Sequence, residues 1–197
     1  MTRPRLALTA ALATLPLAGC ISFGPKPPPS LMTLSATTPL EAGAARTTTD
    51  KGAVAVATPS VIPSLATQRV MVTSGATQVA YLKGALWAAP PAQLFRQLLS
   101  ETITARTGRV VPDPRLLAAQ PDTRLSGQLS VFGLDGPGRA VEVTYDGAIV
   151  RTGSDQLLTR RFTARVPVSA EDEASVGAAV NQAANQVAGE VADWVGR

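Results

Sequence analysis

Arg139-Ala140-Val141-Glu142-Val143-Thr144-Tyr145-Asp146-Gly147-Ala148-Ile149-Val150 alternates between apolar and polar residues. Val141, Val143, Tyr145 and Ile149 share one face, and Glu142, Thr144 and Asp146 share the other. Successive side chains of a strand point to opposite sides, so this period predicts a strand with one buried and one wet face. Both flanks repeat the pattern. Thr123 to Phe132 sets Leu125, Leu129 and Val131 against Arg124, Gln128 and Ser130. Gln156 to Val168 sets Phe162, Ala164, Val166 and Val168 against Arg161, Thr163 and Arg165. Asp135-Gly136 and Thr152-Gly153 supply turns between the three, which predicts an antiparallel meander.

Further out, the period changes to that of helices. Pro90-Pro91 suits a helix start, because proline is tolerated in the first turn. Leu94, Phe95, Leu98, Leu99 and Ile103 form an apolar stripe, and Gly108 stands where a terminating glycine should, so residues 91–107 read as a helix. A second helix is expected after Ser169, read as its N-cap, with Asp172 at the capping-box position. Val176, Val180, Ala184, Val187, Val191 and Trp194 fall on one face of it, and Gly196 ends it. Its many small residues would let it pack closely on a sheet. Shorter strands are expected at Leu31 to Ala36, Ala53 to Ala57 and Arg109 to Val111, with a hairpin of Arg69 to Thr73 and Gln78 to Leu82 around Ser74-Gly75. Residues 37–52 read as a loop. The fold class is α+β: a mainly antiparallel sheet with two helices packed on its apolar face and the opposite face left polar.

The N-terminus has another character. Arg3 and Arg5 precede an apolar run from Leu6 to Leu17, and Leu17-Ala18-Gly19-Cys20 closes it. The run is shorter than the ~20 residues a spanning helix needs, and the layout is that of a secretory signal peptide. A cysteine at the cleavage point gives the layout of a bacterial lipoprotein signal, with Cys20 as the lipidated residue. Ile21 to Ser30, rich in proline, reads as a semi-rigid tether. Residues 1–19 are thus expected to be signal, 20–30 the lipidated cysteine and tether, and 31–197 a single α+β domain.

Composition removes several chemistries. The chain has no histidine and one cysteine, so Ser-His-Asp and Cys-His catalysis are excluded. A Ser-Lys pair would have to draw on Lys26, Lys51 or Lys83, the first two in tether and loop. Metal binding would need carboxylates alone, and the cluster Glu171, Asp172 and Glu173 is accounted for by a helix N-terminus. Arg3 and Arg5 are two of the 18 Lys and Arg that face 14 Asp and Glu. No basic stripe with interleaved aromatics supports nucleic-acid binding. Neither catalytic residues nor a cofactor are expected. Tyr81 and Trp87 lie close together in a chain with 4% aromatics. They read either as cover for the core end of the first helix or as exposed anchors for a partner protein. Arg161 and Arg165 read as a solvated strand face or as a basic edge for an acidic partner.

The run Val79-Ala80-Tyr81-Leu82-Lys83-Gly84-Ala85-Leu86-Trp87-Ala88-Ala89-Pro90 resembles the tyrosine–tryptophan–proline segment of the ABC-type transport auxiliary lipoprotein family. Leu125 to Phe132, Arg161-Phe162 before Val166-Pro167-Val168, and the closing helix ending in Trp194 resemble that family too, in the same order. The Thr/Ala/Gly-rich segment 37–52 departs from it. The resemblance implies a non-catalytic lipoprotein that works with an ABC permease, an ATPase and an MCE-domain substrate-binding protein, in systems that move lipids between inner and outer membranes. Only Cys20 carries over with a defined role. Ile21 stands where an inner-membrane retention signal has aspartate, which implies the periplasmic side of the outer membrane. Two alternatives remain open: a domain that itself holds lipid between helices and sheet, and an assembly lipoprotein for an outer-membrane component.

Overall fold

The computed structural model describes residues 30–40, 43, 52–113 and 121–197. The signal segment, Cys20 and residues 21–29 of the tether lie outside them, as does most of the expected loop 37–52. In chain order the elements are β1 (Val54–Val56), β2 (Ser60–Val61), a single 3-10 turn (Pro63–Leu65), β3 (Arg69–Gly75), β4 (Gln78–Leu86), α1 (Pro91–Thr107), β5 (Thr123–Asp135), β6 (Ala140–Arg151), β7 (Leu157–Pro167) and α2 (Glu173–Val195). The main sheet runs β4-β3-β5-β6-β7, with the two helices packed against it.

The three long strands form the expected antiparallel meander. Val141, Val143, Tyr145 and Ile149 of β6 are buried, as are Phe162, Ala164 and Val166 of β7. β5 departs from its expected faces at one place. Its register to β6 shifts between Leu129 and Val131, so Ser130 is an extra residue in the ladder. Such a bulge reverses which side chains face inward beyond it. Val131 therefore turns away from the core, and Phe132 and Leu134 enter it at 0% and 1% exposure.

The other edge of β5 is shared by three short parallel partners, β1 at Thr123–Leu125, β2 at Gln128–Leu129 and β3 at Gly133–Asp135. The sheet is thus mixed, though mostly antiparallel. β3 and β4 form the expected hairpin, with its turn at Ala76-Thr77 rather than Ser74-Gly75 and with β4 four residues longer. Arg109 to Val111 is no strand, contributing only the bridge of Val110 to Ala53.

Helix α1 occupies residues 91–107 as expected and closes on Gly108 in the left-handed region at φ 70°. α2 starts later than expected. Its N-cap is Asp172, whose carboxylate accepts the Ser175 N–H at 2.8 Å. The Val168 N–H still bonds to the Arg139 carbonyl. The chain therefore leaves the sheet only at 168, and the residues from Ser169 on are spent crossing to the helical layer.

Leu31 to Ala36 is extended without being a strand. Met32 bonds to β4 and its continuation, through its N–H to Leu86 and its carbonyl to Ala88. Beyond it the segment runs along α2, where Asn181 and Asn185 take the backbone of Ser35 and Thr37. We call residues 30–37 the strap.

Phe95, Leu98, Leu99 and Ile103 of α1, and Val176, Val180, Ala184, Val187 and Val191 of α2, are buried in one cluster with the sheet's inner face. Each large side chain so buried stabilises the fold by about 1.5–3 kcal/mol. The space between helices and sheet, the site of the lipid-groove alternative, is filled by these side chains. Gly127 and Gly147 face each other across β5 and β6. Into the space they leave come Tyr145, Trp194 and Phe162, within 3.1–3.4 Å of where a Cβ on Gly147 would stand.

Candidate interaction surface

The outward face of β6 and β7 is built by their register, which runs from Ala140↔Pro167 to Val150↔Leu157 without a shift. It places Asp146 opposite Arg161, Thr144 opposite Thr163 and Glu142 opposite Arg165. Arg161 Nε donates to Asp146 Oδ1 at 2.6 Å and its Nη2 to Oδ2 at 3.2 Å. The bulge residue Ser130 donates its hydroxyl to the same carboxylate from β5. From β7, Arg165 reaches both Glu142 Oε2 on the adjacent β6, at 3.2 Å, and Asp135 at the end of β5. The Thr144 and Thr163 hydroxyls meet at 3.0 Å between the two ion-pair groups.

Electrostatics follow the bonds. The Arg161 guanidinium, and after it the Ser130 hydroxyl, hold the Asp146 carboxyl below its ordinary value. Arg165, and then the Gly138 N–H, do the same for Asp135. The two arginines are pushed up by their carboxylates in return. Arg161 remains 69% exposed, and ion pairs so open to water add little stability. What the ladder does is hold side chains in place: two guanidiniums are drawn back over β6, each with an N–H group left over for another acceptor. At the far end of the face lie Val150 and, opposite it, Leu157, both exposed.

The residues singled out from sequence do not come together. Cys20 is outside the described residues. Trp87 is 1% exposed, its ring 5.4 Å from that of Phe132, so it serves the core, and its buried indole N–H has no acceptor among the described residues. Tyr81 lies near the opposite edge of the sheet from the arginines. Its hydroxyl donates to the Ser64 carbonyl at 3.2 Å and its ring carries the Arg69 guanidinium at 4.2 Å, so it pins the 3-10 turn to the hairpin. Arg161 and Arg165 alone share a surface. Their partners Asp146, Glu142, Asp135 and Ser130 were not singled out. The signal was present, since Glu142/Asp146 and Arg161/Arg165 have the same four-residue spacing on the polar faces of adjacent antiparallel strands.

No group of three or more acidic or cysteine side chains among the described residues is placed to hold a metal ion. Among the same residues, no helix is long and apolar enough to cross a membrane.

A family model described as ABC-type transport auxiliary lipoprotein component matches residues 33–192. No curated protein matches the chain. Among solved structures, the crystal structure of protein XCC0632 from Xanthomonas campestris, of family DUF330, superposes with a TM-score of 0.69 at 21% identity, covering 84% of this chain and 93% of that one. A crystal structure of an uncharacterized protein gives 0.64 at 18% identity, covering 84% and 99%. At these identities the likeness is one of fold.

Proposed function

The chain belongs to the ABC-type transport auxiliary lipoprotein component family, and from that premise we propose that it is a non-catalytic, lipid-anchored subunit of an MCE-type ABC transporter that moves lipids between the inner and outer membranes. The observation that carries this reading is the extent of the family match. Residues 33–192 include every strand among the described residues, the whole of α1 and most of α2. An auxiliary role in an ABC transport system and a lipid anchor come with the family.

The finer assignments rest on particular residues. Cys20 receives the lipid after cleavage behind Gly19, and at least two acyl chains make such an anchor stable. The proline-rich residues 21–30 hold the domain off the bilayer. Ile21 supports the periplasmic leaflet of the outer membrane as the anchoring site. The partners are the permease, the ATPase and the MCE-domain protein of one system. The work is docking, because the chain has no histidine and no unmodified cysteine to carry chemistry, and the outer face of β6 and β7 is the surface offered.

A genetic test separates this from a free-standing role. Deleting the gene should give the same outer-membrane permeability defect as deleting the permease, and deleting both should give no more. Complementation with Cys20→Ala should fail. An additive defect in the double deletion would contradict the proposal.

A further inference from the structure

The two outer edges of the sheet are not equivalent. β4 is interrupted, with a register shift that leaves Leu82 to Ala85 without partners on β3 and places Gly84 at φ 78°. Irregular edges of this kind discourage another strand from pairing. β7 has no such device. It is paired to β6 over its full length, contains no proline before Pro167, and is straight in register.

The direction of its free hydrogen-bonding groups can be read from one bond. The Val168 N–H donates to the Arg139 carbonyl at 3.0 Å, so these two residues are a hydrogen-bonded pair. In an antiparallel ladder such pairs alternate with pairs whose N–H and C=O groups turn away. Val166, Ala164, Phe162 and Arg160 therefore bond to β6, while Arg165, Thr163, Arg161, Thr159 and Leu157 turn their backbone groups to the open edge. Among the described residues no other group bonds to them. These five are also the residues whose side chains lie on the outer, polar face.

We infer that β7 is a docking edge for an extended acidic segment of a partner protein, which adds to the sheet as a further strand. Charge decides the class of occupant. β7 contains three arginines and no carboxylate, and Arg161 and Arg165 each keep a guanidinium N–H beyond those given to β6 and β5. A second copy of β7 would set arginines against arginines at the seam, the carboxylates that pair with Arg161 and Arg165 lying one and two strands further in on β6 and β5, which opposes self-pairing. A strand running antiparallel to β7 meets Arg165 first, Arg161 four residues on, and Leu157 four further. Its sequence is therefore acid-x-x-x-acid-x-x-x-apolar. Main-chain bonds supply affinity in strand addition, and the side-chain positions supply specificity. The inference does not depend on which transport component is the partner, and its test involves none of them.

The test is hydrogen exchange, read residue by residue by mass spectrometry, on the full lipidated protein in detergent micelles. The probe is the peptide Glu-Thr-Val-Thr-Glu-Thr-Val-Thr-Leu, with a control in which both glutamates are lysines. Thr159→Pro removes a backbone N–H that faces the open edge and none that faces β6, so it should leave the sheet intact while blocking strand addition. With the acidic peptide at about 2 mM, the amides of Thr159, Arg161, Thr163 and Arg165 should slow about threefold, the protection given by a Kd of about 1 mM. The lysine peptide should leave all four unchanged, and the acidic peptide on Thr159→Pro should leave the amides of Arg161, Thr163 and Arg165 unchanged. Absence of slowing, equal slowing by the lysine peptide, or slowing that survives Thr159→Pro would overturn the inference. So would concentration-dependent protection of these amides without peptide, which would make a second copy the occupant.

Discussion

Asn185 holds Ser35 across 150 residues of chain: its Nδ2 donates to the Ser35 carbonyl at 2.9 Å, while its Oδ1 accepts the Thr37 N–H at 2.9 Å. One turn earlier, Asn181 Oδ1 accepts the Ser35 N–H at 2.9 Å. Side-chain amides offer both a donor and an acceptor, so two asparagines spaced i, i+4 on a helix serve the strap as a strand would. The strap follows the stretch proposed as tether, and the first described residue, Ser30, bonds to Glu173 in the first turn of α2. The described chain therefore begins beside the N-terminal end of that helix.

Asn185→Ala should cost about 1 kcal/mol, the net contribution of exposed hydrogen bonds of this kind. The same substitution should raise proteolytic cleavage within residues 33–38 while leaving cleavage elsewhere unchanged. Limited proteolysis followed by mass spectrometry reads both, and unchanged cleavage in the strap would contradict the role given to Asn185.

Acid should weaken the ladder in a defined direction. The Asp146 carboxyl is held below its ordinary value of 3.8 by Arg161 and Ser130. Its contribution to stability is therefore complete above that value and is lost as pH falls from it through the folded-state value. Urea unfolding midpoints measured from pH 6 downward should fall less steeply below about pH 4 in Asp146→Asn than in the parent. Parallel curves would show that the pair contributes nothing at either pH.

The glycine pair beneath Tyr145 gives a sharper contrast. A Cβ on Gly127 would come 2.2 Å from the Asp146 carbonyl oxygen and 2.7 Å from the Tyr145 hydroxyl. Backbone must move to admit it, so Gly127→Ala should destabilise by about 2 kcal/mol or more. Tyr145→Phe keeps the ring and removes the 2.8 Å bond to the Ser126 carbonyl, which should cost about 1 kcal/mol. Denaturant unfolding of the two variants checks the order.

Trp87 should behave as a core residue. Trp87→Ala should cost about 3–5 kcal/mol, as loss of a large buried aromatic does. Its fluorescence should resist an aqueous quencher that reaches the half-buried Trp194. Photocrosslinking from position 87 should yield no partner adduct, and a strong adduct would mean that the β4–α1 junction opens.

Much of the fold was legible because its periods are long and clean. α1 could be bounded at both ends from Pro91 and Gly108, and the buried faces of β6 and β7 from strict alternation. What escaped the sequence was set by tertiary pairing. Ser130 looks like any polar strand residue, and only its lack of an opposite number on β6 makes it a bulge. β2 is a two-residue strand whose existence depends on the edge of β5. Ser169 is a good capping residue in isolation, yet the crossing from β7 to the helical layer delays the cap to Asp172. Of the interaction surface, Arg161 and Arg165 were legible as cations. Their engagement with Asp146, Glu142 and Asp135 requires the register. Trp87 is a case where one sequence pattern fits both an anchor and a core residue, and burial decides it.

The most direct test of the account is affinity purification of the lipidated protein from its own membranes in mild detergent, with the co-purifying proteins identified by mass spectrometry. The account predicts an ABC permease, its ATPase and an MCE-domain protein in fixed ratio, retained with the parent protein and lost with Cys20→Ala. Recovery of the lipidated protein without any of these components would contradict it.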